Sequence, residues 1–310
     1  MKKTVFIDGK AGTTGLKIYE RLESRDDIKI ITLSEEDRKN ESRRKEALNS
    51  CDIAFLCLPD DAAIQAVSLI ENDNVVVIDT STAHRTNPGW AYGFPELDNT
   101  FYEKITRSKR IAVPGCHAAG FIALVYPLVK AGILPADANL FCHSLTGYSG
   151  GGKKMIAEYE GEDIPQGHLS PRQYAVGQNH KHLKEMKEIT GIGGFPIFCP
   201  VVSNFYSGME VTIPLFSSQI NGKAEDIKKI YAEKYNGEVV SFIEGLDENG
   251  FIAANKLGGL DCMKITVTGN ADRILLVALY DNLGKGASGS AVECMNIAMG
   301  ENITKGLSLK

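Results

Sequence analysis

The 310-residue sequence lacks several things whose absence narrows its role. No apolar stretch approaches the roughly 20 consecutive residues that a membrane helix needs, so no membrane association is expected. It lacks a dominant charge: the net charge is −5 and no basic stripe breaks the mixed pattern, which argues against nucleic acid as a partner. The one local charge run, EEDRKNESRRK from Glu35 to Lys45, mixes both signs and reads as a solvated loop and helix start. There is no C-x-x-C and no tight Cys/His cluster among seven scattered cysteines. Neither a disulfide framework nor a zinc site is therefore indicated, and no metal is expected. His180 and His182 are two residues apart, which on a helix would put them on different faces. Met1-Lys2-Lys3 runs straight into a short apolar strand rather than a long h-region, so no targeting signal is expected and the chain reads as cytoplasmic.

What is present reads as two kinds of architecture. TVFID (4–8), IKIITL (28–33), DIAFLCLP (52–59) and VVVID (75–79) are continuously apolar runs. They alternate with helical stretches at 16–24 and 61–70, as expected for a parallel sheet covered on both faces. Beyond residue 139 the strands lengthen: 139–147, 197–202, 208–216, 262–269 and 273–281. Val211, Ile213 and Leu215 alternate with Thr212 and Pro214, the pattern of a sheet with one covered face. Helical stretches fall at 153–160, 180–189, 224–235 and 285–299. The fold class expected is α/β. It joins a doubly wound Rossmann-type nucleotide domain to an α+β catalytic and dimerisation domain with a mixed, largely antiparallel sheet. The boundaries expected are 1–115 for the first and 116–283 for the second, with the C-terminal segment 284–310 returning to the first.

Gly9-Lys10-Ala11-Gly12-Thr13-Thr14-Gly15 has the form G-x-x-G-x-x-G, directly after a strand and before a helix. Glycines let a backbone approach a pyrophosphate, and a helix start offers free N–H groups and the positive end of its dipole. The hydroxyls of Thr13 and Thr14 add donors. The second strand ends Thr32-Leu33-Ser34-Glu35, with Arg38 shortly after. A hydroxyl and an arginine accommodate a 2′-phosphate, which favours NADP, while Glu35 remains a candidate for the ribose-binding carboxylate of an NAD enzyme.

The segment IAVPGCHAAG (111–120) breaks a short strand at Pro114-Gly115 and starts an apolar helix at or near Cys116. A helix N-terminus stabilises a thiolate, so Cys116 is the candidate nucleophile. Cys57, inside a strand, reads as a buried structural thiol. A thiolate needs a proton carrier; the six histidines are all candidates that spacing does not rank, and His180, three residues after Gly177, opens a helical stretch. His117 is adjacent to the cysteine but would point away from it on a helix.

These residues together resemble the N-acetyl-gamma-glutamyl-phosphate reductase family in its shorter, second type, across essentially the whole chain. The resemblance is carried by GKAGTTG (9–15), FLCLPDDAA (55–63), IDTSTAHR (78–85), YGFPEL (92–97), VPGCHAAGF (113–121), GYSGGGKKMI (147–156), HKHLKE (180–185) and DNLGKGASGSAVECMN (281–296). Longer relatives carry Tyr-Pro-Thr where this chain has His117-Ala118-Ala119, and the sister aspartate-semialdehyde dehydrogenases carry Asn-Cys-Thr around their nucleophile. The resemblance implies NADPH-dependent reduction of N-acetyl-glutamyl 5-phosphate to the semialdehyde, in arginine biosynthesis. It implies Cys116 as nucleophile and His180 as general acid/base, with Gly9, Gly12, Thr13, Thr14, Gly15, Ser34, Arg38, Leu58, Pro59 and Asn282 at the cofactor. Arg85, Tyr174 and Glu185 are the candidates at the substrate, Arg85 for its carboxylate. The expected partners are a small acyl phosphate and further copies of the chain, as a dimer or tetramer.

Three other readings compete. A sister reductase of an N-acetyl-aminoadipyl phosphate differs little in recognition, since one methylene is worth only roughly 1–3 kcal/mol, and an aspartyl-phosphate reductase is a further sister. A cysteine hydrolase would use Cys116 and His180 without hydride transfer, and the glycine turn argues against it. A non-catalytic nucleotide sensor would lack turnover.

Overall fold

The computed structural model describes residues 2–310 as two compact units. One takes in the chain as far as Gly115 together with Ala287–Leu307, the other Cys116–Gly286 with Ser308–Lys310.

The first unit begins with β1 (Lys3–Asp8), α1 (Thr13–Leu22), β2 (Ile28–Ile31), α2 (Glu41–Ser50), β3 (Ile53–Leu56) and α3 (Asp60–Ser68). It continues through β4 (Val76–Asp79), β5 (Ala91–Tyr92), α4 (Asn99–Arg107) and β6 (Arg110–Ala112). The six strands form one parallel sheet in the order β2-β1-β3-β4-β6-β5. The continuous apolar runs follow from this: β3 and β4 are buried at every position because the sheet is covered on both faces. One cluster includes Val5, Ile7, Ile53, Phe55 and Ile78, and another includes Phe6, Ala54, Leu56 and Val77. Alternate residues of each strand therefore feed opposite layers. β2 stops at Ile31, two residues short of the expected 28–33, and a bend and a short 3₁₀ turn (Asp37–Lys39) carry the charge run into α2.

The second unit contains α5 (Cys116–Lys130), β7 (Phe141–Gly147), α6 (Gly152–Glu160), β8 (Arg172–Gln173), α7 (His182–Thr190) and β9 (Ile197–Ser203). It continues with β10 (Met209–Phe216), α8 (Ala224–Lys234), β11 (Val240–Phe242), β12 (Met263–Gly269) and β13 (Arg273–Tyr280). Its seven-stranded sheet runs β11-β12-β13-β10-β7-β9-β8. β11–β12 and β7–β9 are parallel and the remaining pairs antiparallel. The alternation in β10 is realised: Met209, Val211, Ile213 and Leu215 are buried, whereas Glu210, Thr212 and Pro214 are half-buried.

α5 is the centre of this unit and packs on β10, β13, α7 and α8. Pro127 inside it has no N–H for the carbonyl of Ala123. The hydroxyl of Tyr235, at the end of α8, donates to that carbonyl at 2.7 Å, and Tyr231 donates to Leu124 O at 2.5 Å. A helix with a proline in its fourth turn is thus stabilised by two buried tyrosines from its neighbour.

After a π-helical turn (Gly284–Ser288) the chain forms α9 (Gly289–Met299), buried at Gly289–Ile297 within the first unit's core. The tail beyond it is tied down by Arg25, which donates to Asn296 Oδ1 at 2.6 Å and Lys305 O at 3.2 Å. Lys305 in turn pairs with Asp27 at 2.8 Å. These contacts hold the carboxyl of Asp27 well below the usual carboxylate range, the Arg25 hydrogen bond first.

Candidate active site

The glycine turn has a specific backbone shape. Gly9 has φ +86°, a conformation L side chains rarely adopt, and a Cβ there would lie 2.3 Å from Cys57 O and 3.2 Å from Leu58 Cδ2. A Cβ on Gly15 would meet Gly9 O at 2.5 Å. Gly12 N–H donates to Gly9 O at 2.8 Å, closing the turn, and Gly12 is the N-cap of α1 with no side chain to cap it. The first N–H groups of α1 therefore have no helical acceptor. Thr13 Oγ1 is shut off from solvent without a hydrogen-bond partner. An uncapped helix start with an orphaned buried hydroxyl fits a phosphate group. Leu58 lies beside Gly9, and Pro59 is the N-cap of α3.

Ser34 Oγ accepts from Asp37 N at 3.0 Å, and Arg38 pairs with Glu35 on the surface. Both side chains are exposed, so the pair holds Arg38 only weakly. Arg85 is buried, and its guanidinium donates from Nε to Val113 O and from one terminal nitrogen to Thr80 O, both at 2.8 Å. It braces the backbone before the Pro114-Gly115 turn. Asp79, in the IDTSTAHR segment, is fully buried and accepts from Ser81 N, Ser81 Oγ and the ring of His84.

Cys116 is the first residue of α5 and is half-buried. Its position is fixed from below by Tyr280: Gly120 N–H donates to the tyrosine hydroxyl at 3.1 Å, and that hydroxyl donates to Cys116 O at 2.5 Å. Gly120 is required because a Cβ would lie 2.6 Å from Tyr280 Oη and 2.7 Å from Val211 Cγ2. Gly286 is close as well, with its notional Cβ 3.2 Å from Cys116 Cβ.

The segment carrying Tyr174 and His180 is pinned to the sheet edge. Tyr174 N donates to Pro200 O at 3.0 Å. Gln178, with φ +55°, lays its side-chain amide against Phe198 like an extra strand residue. It donates to Phe198 O at 2.8 Å and accepts from Phe198 N at 2.9 Å. His180 Nδ1 accepts from His182 N at 3.2 Å, so its proton resides on Nε2.

This corrects the expectation for the two histidines. α7 starts at His182, and His180 lies in the loop before it, so helical spacing does not separate them. Their rings are 4.6 Å apart, and both approach the ring of His117, at 5.8 Å and 5.7 Å. His117, set aside because it turns away from Cys116 along the helix, is the buried hub of the cluster. Burial foremost, with His180 nearby, pushes its pKa down to about 3. Glu185, in the first turn of α7, is also buried. Asn282 is buried, accepting from Gly208 N and donating one amide proton to Ser149 Oγ, both at 2.9 Å. Its carboxamide fastens the Tyr148–Gly151 turn, so a direct cofactor contact does not follow from its placement. No group of three or more His, Cys, Asp or Glu able to hold a metal occurs among the described residues.

Residues 4–105 match the family described as semialdehyde dehydrogenase, NAD binding domain, and residues 116–282 the semialdehyde dehydrogenase dimerisation domain. N-acetyl-gamma-glutamyl-phosphate reductases of Brucella ovis and Brucella suis are 44% identical over 312 aligned residues, covering 97% of this chain and all of theirs. Among solved structures, aspartate semialdehyde dehydrogenase II of Vibrio cholerae complexed with ASA superposes with a TM-score of 0.73 at 17% identity, covering 96% of this chain and 98% of that one. The Candida albicans aspartate semialdehyde dehydrogenase with NADP gives 0.68 at 15% identity, covering 98% and 100%. At these identities the structural matches establish the fold alone.

Proposed function

The chain belongs to the N-acetyl-gamma-glutamyl-phosphate reductase family, and on that premise we propose that it reduces N-acetyl-L-glutamyl 5-phosphate to the 5-semialdehyde through a thioester on Cys116, as a step of arginine biosynthesis. It is an oxidoreductase with a nicotinamide cofactor; NADP is the form we infer, from Ser34 and an Arg38 held only by an exposed ion pair. The observation that carries the reading is the setting of Cys116 at the start of α5, with the neighbouring His117 ring 5.8 Å from a His180 whose proton is held on Nε2.

In this mechanism the Cys116 thiolate attacks the acyl carbon, the bond from that carbon to the phosphate oxygen breaks, and the departing phosphate takes its proton from solvent. NADPH, when bound at the glycine turn, supplies the hydride that reduces the thioester carbonyl. N–H groups at the start of α5 stabilise the resulting oxyanion. The Nε2–H of His180 donates its proton to that oxygen as the charge develops, and the proton returns to His180 as the carbon–sulfur bond breaks, releasing aldehyde and thiolate. Tyr174 is proposed at the substrate and Glu185 as a buried support of α7. The cofactor pyrophosphate is assigned to Gly9, Gly12, Thr13, Thr14 and Gly15, beside Leu58 and Pro59.

We further infer a homo-oligomer that pairs through the second unit's sheet. Thr212 and Pro214 leave its other face partly open, and Phe216 is exposed. The protein is proposed to work in the cytoplasm. Its seven cysteines are all free, and among the described residues no helix is long and apolar enough to cross a membrane.

The test is NADPH oxidation with N-acetyl-glutamyl phosphate and its aminoadipyl homologue side by side. Turnover favouring the glutamyl compound, absent in Cys116→Ala, is expected. Preference for the longer compound, or oxidation undiminished in Cys116→Ala, would overturn the assignment.

A further inference from the structure

The polar hub around His117 has hydrogen-bonding requirements that determine which way its protons point. Ser144, on β7, is fully buried, and its hydroxyl meets His117 Nδ1 at 2.7 Å, its one side-chain hydrogen bond among the described residues. The other ring nitrogen, Nε2, meets the hydroxyl of Tyr174 in a short hydrogen bond, again the only one that hydroxyl makes. His117 is 2% exposed, and its depressed pKa keeps the ring neutral, with one donor and one acceptor. Two tautomers are then conceivable. If Nδ1 carried the proton and donated to Ser144, the serine proton would be left without an acceptor in a fully buried site. That omission costs more than a hydrogen bond normally contributes. If Ser144 donates to Nδ1 instead, Nε2–H donates to the Tyr174 oxygen, and every buried proton of Ser144 and His117 is satisfied.

In that second arrangement the Tyr174 oxygen has accepted from the ring, so its own proton must point elsewhere. Burial first, and the charge of Cys116 second, raise the pKa of Tyr174, so the phenol stays protonated, and its hydrogen bond to His117, the residue next to Cys116, holds it in the nucleophile's cluster. A protonated phenol with its oxygen fixed and its proton turned away from the ring is a hydrogen-bond donor prepared for an oxygen that develops charge.

We propose that Ser144 and His117 are positioning residues that fix the direction of the Tyr174 proton, so that this hydroxyl donates a hydrogen bond to the substrate oxygen as it becomes an oxyanion on Cys116. Tyr174 does not give up its proton in this step; His180 remains the group that transfers one. The inference rests on the reductive reading of Cys116 given above, but its first test is independent of it.

The first measurement is the tautomer of His117, read from ring nitrogen shifts in the protein labelled with nitrogen-15 histidine and assigned by the signal lost in His117→Gln. A neutral ring protonated on Nε2, unchanged over about pH 6 to 8, is expected; the ordinary histidine would titrate in that range. An Nδ1-protonated ring, or one that titrates near 6.5, would overturn the proposal whatever the protein's activity. The second is a double-mutant cycle on kcat. Tyr174→Phe is expected to lower kcat by about tenfold to a hundredfold, and Ser144→Ala by about fivefold to tenfold, with KM little changed in each. In the Tyr174→Phe background, Ser144→Ala is expected to cost less than about twofold, because the proton it orients is gone. Equal losses from Ser144→Ala in both backgrounds would mean that the serine acts only on packing. Persistent turnover in Cys116→Ala would instead defeat the covalent reading and leave the tautomer result standing.

Discussion

The turn at residues 9–15 and the cluster around Cys116 serve one reaction in the mechanism proposed, but they are assembled in opposite ways. The turn is local. Gly9 closes on Gly12 at 2.8 Å and Gly15 is packed against Gly9, so the turn's own hydrogen bond and glycine contacts lie within seven consecutive residues, with only Cys57 and Leu58 packed against Gly9 from outside. The cysteine cluster is built from long-range contacts: His117 bonds to Ser144 and Tyr174, and Tyr280 reaches back to Cys116 and Gly120 across the whole second unit. A local site is specified by spacing alone. A dispersed one exists only once a sheet register and a helix packing have been set, and its geometry is therefore more sensitive to changes far away in sequence.

That difference can be sharpened by substitution. The largest effect is expected for His180→Asn, which keeps a polar side chain of similar size but removes the proton carrier. Its kcat at saturating substrate should fall by about 10²–10⁴, or about 3–5 kcal/mol of transition-state stabilisation. His182→Asn, measured alongside with thermal melts of both, should fall less. A His182 variant more damaged than the His180 variant would exchange their roles.

An intermediate effect is expected at the glycine turn. In Gly15→Ala the new Cβ would lie 2.5 Å from Gly9 O, a backbone atom that must move. Titration with NADPH should show binding weakened by about tenfold to a hundredfold, while kcat at saturating cofactor changes little. Unaltered affinity would remove this turn from the cofactor site. The smallest effect belongs to Arg38→Ala, which loses only a surface ion pair in the free protein. It should leave NAD binding as it is and weaken NADP by about tenfold, narrowing the gap between the two. Equal affinity for NAD and NADP in the unaltered protein would assign the cofactor to Glu35 instead.

The same contrast accounts for what could be read from the sequence. The parallel sheet was legible because β1, β3 and β4 are short apolar runs buried on both faces, and β10 because its alternation matches one covered face. β5 and β8, with two residues each, left no periodic signal. Cys116 was legible from the Pro114-Gly115 break before an apolar helix. The part of His117 was not, because its direction was judged along α5 alone, whereas its partners come from β7 and from the loop before α7. The loop itself hid the relation of His180 to His182: spacing rules for a helix do not apply to a residue that precedes one. Gln178 carried no signal at all, since its role depends on a left-handed backbone angle and on Phe198 of a neighbouring strand. That Arg85 braces Val113 O and Thr80 O carried no signal in the sequence, since only the fold brings both carbonyls to it.

The central claim is that the acyl group rests on Cys116 between loss of phosphate and arrival of hydride. It is tested most directly by mixing the protein with N-acetyl-glutamyl phosphate in the absence of any nicotinamide cofactor. Released phosphate is then measured together with the mass of each cysteine-containing peptide after an acid quench. The account predicts a burst of about one phosphate per active site and an acyl adduct confined to the peptide carrying Cys116, both lost in Cys116→Ala. Phosphate retained until NADPH is added, or an adduct on any of the other six cysteines with Cys116 unmodified, would contradict it.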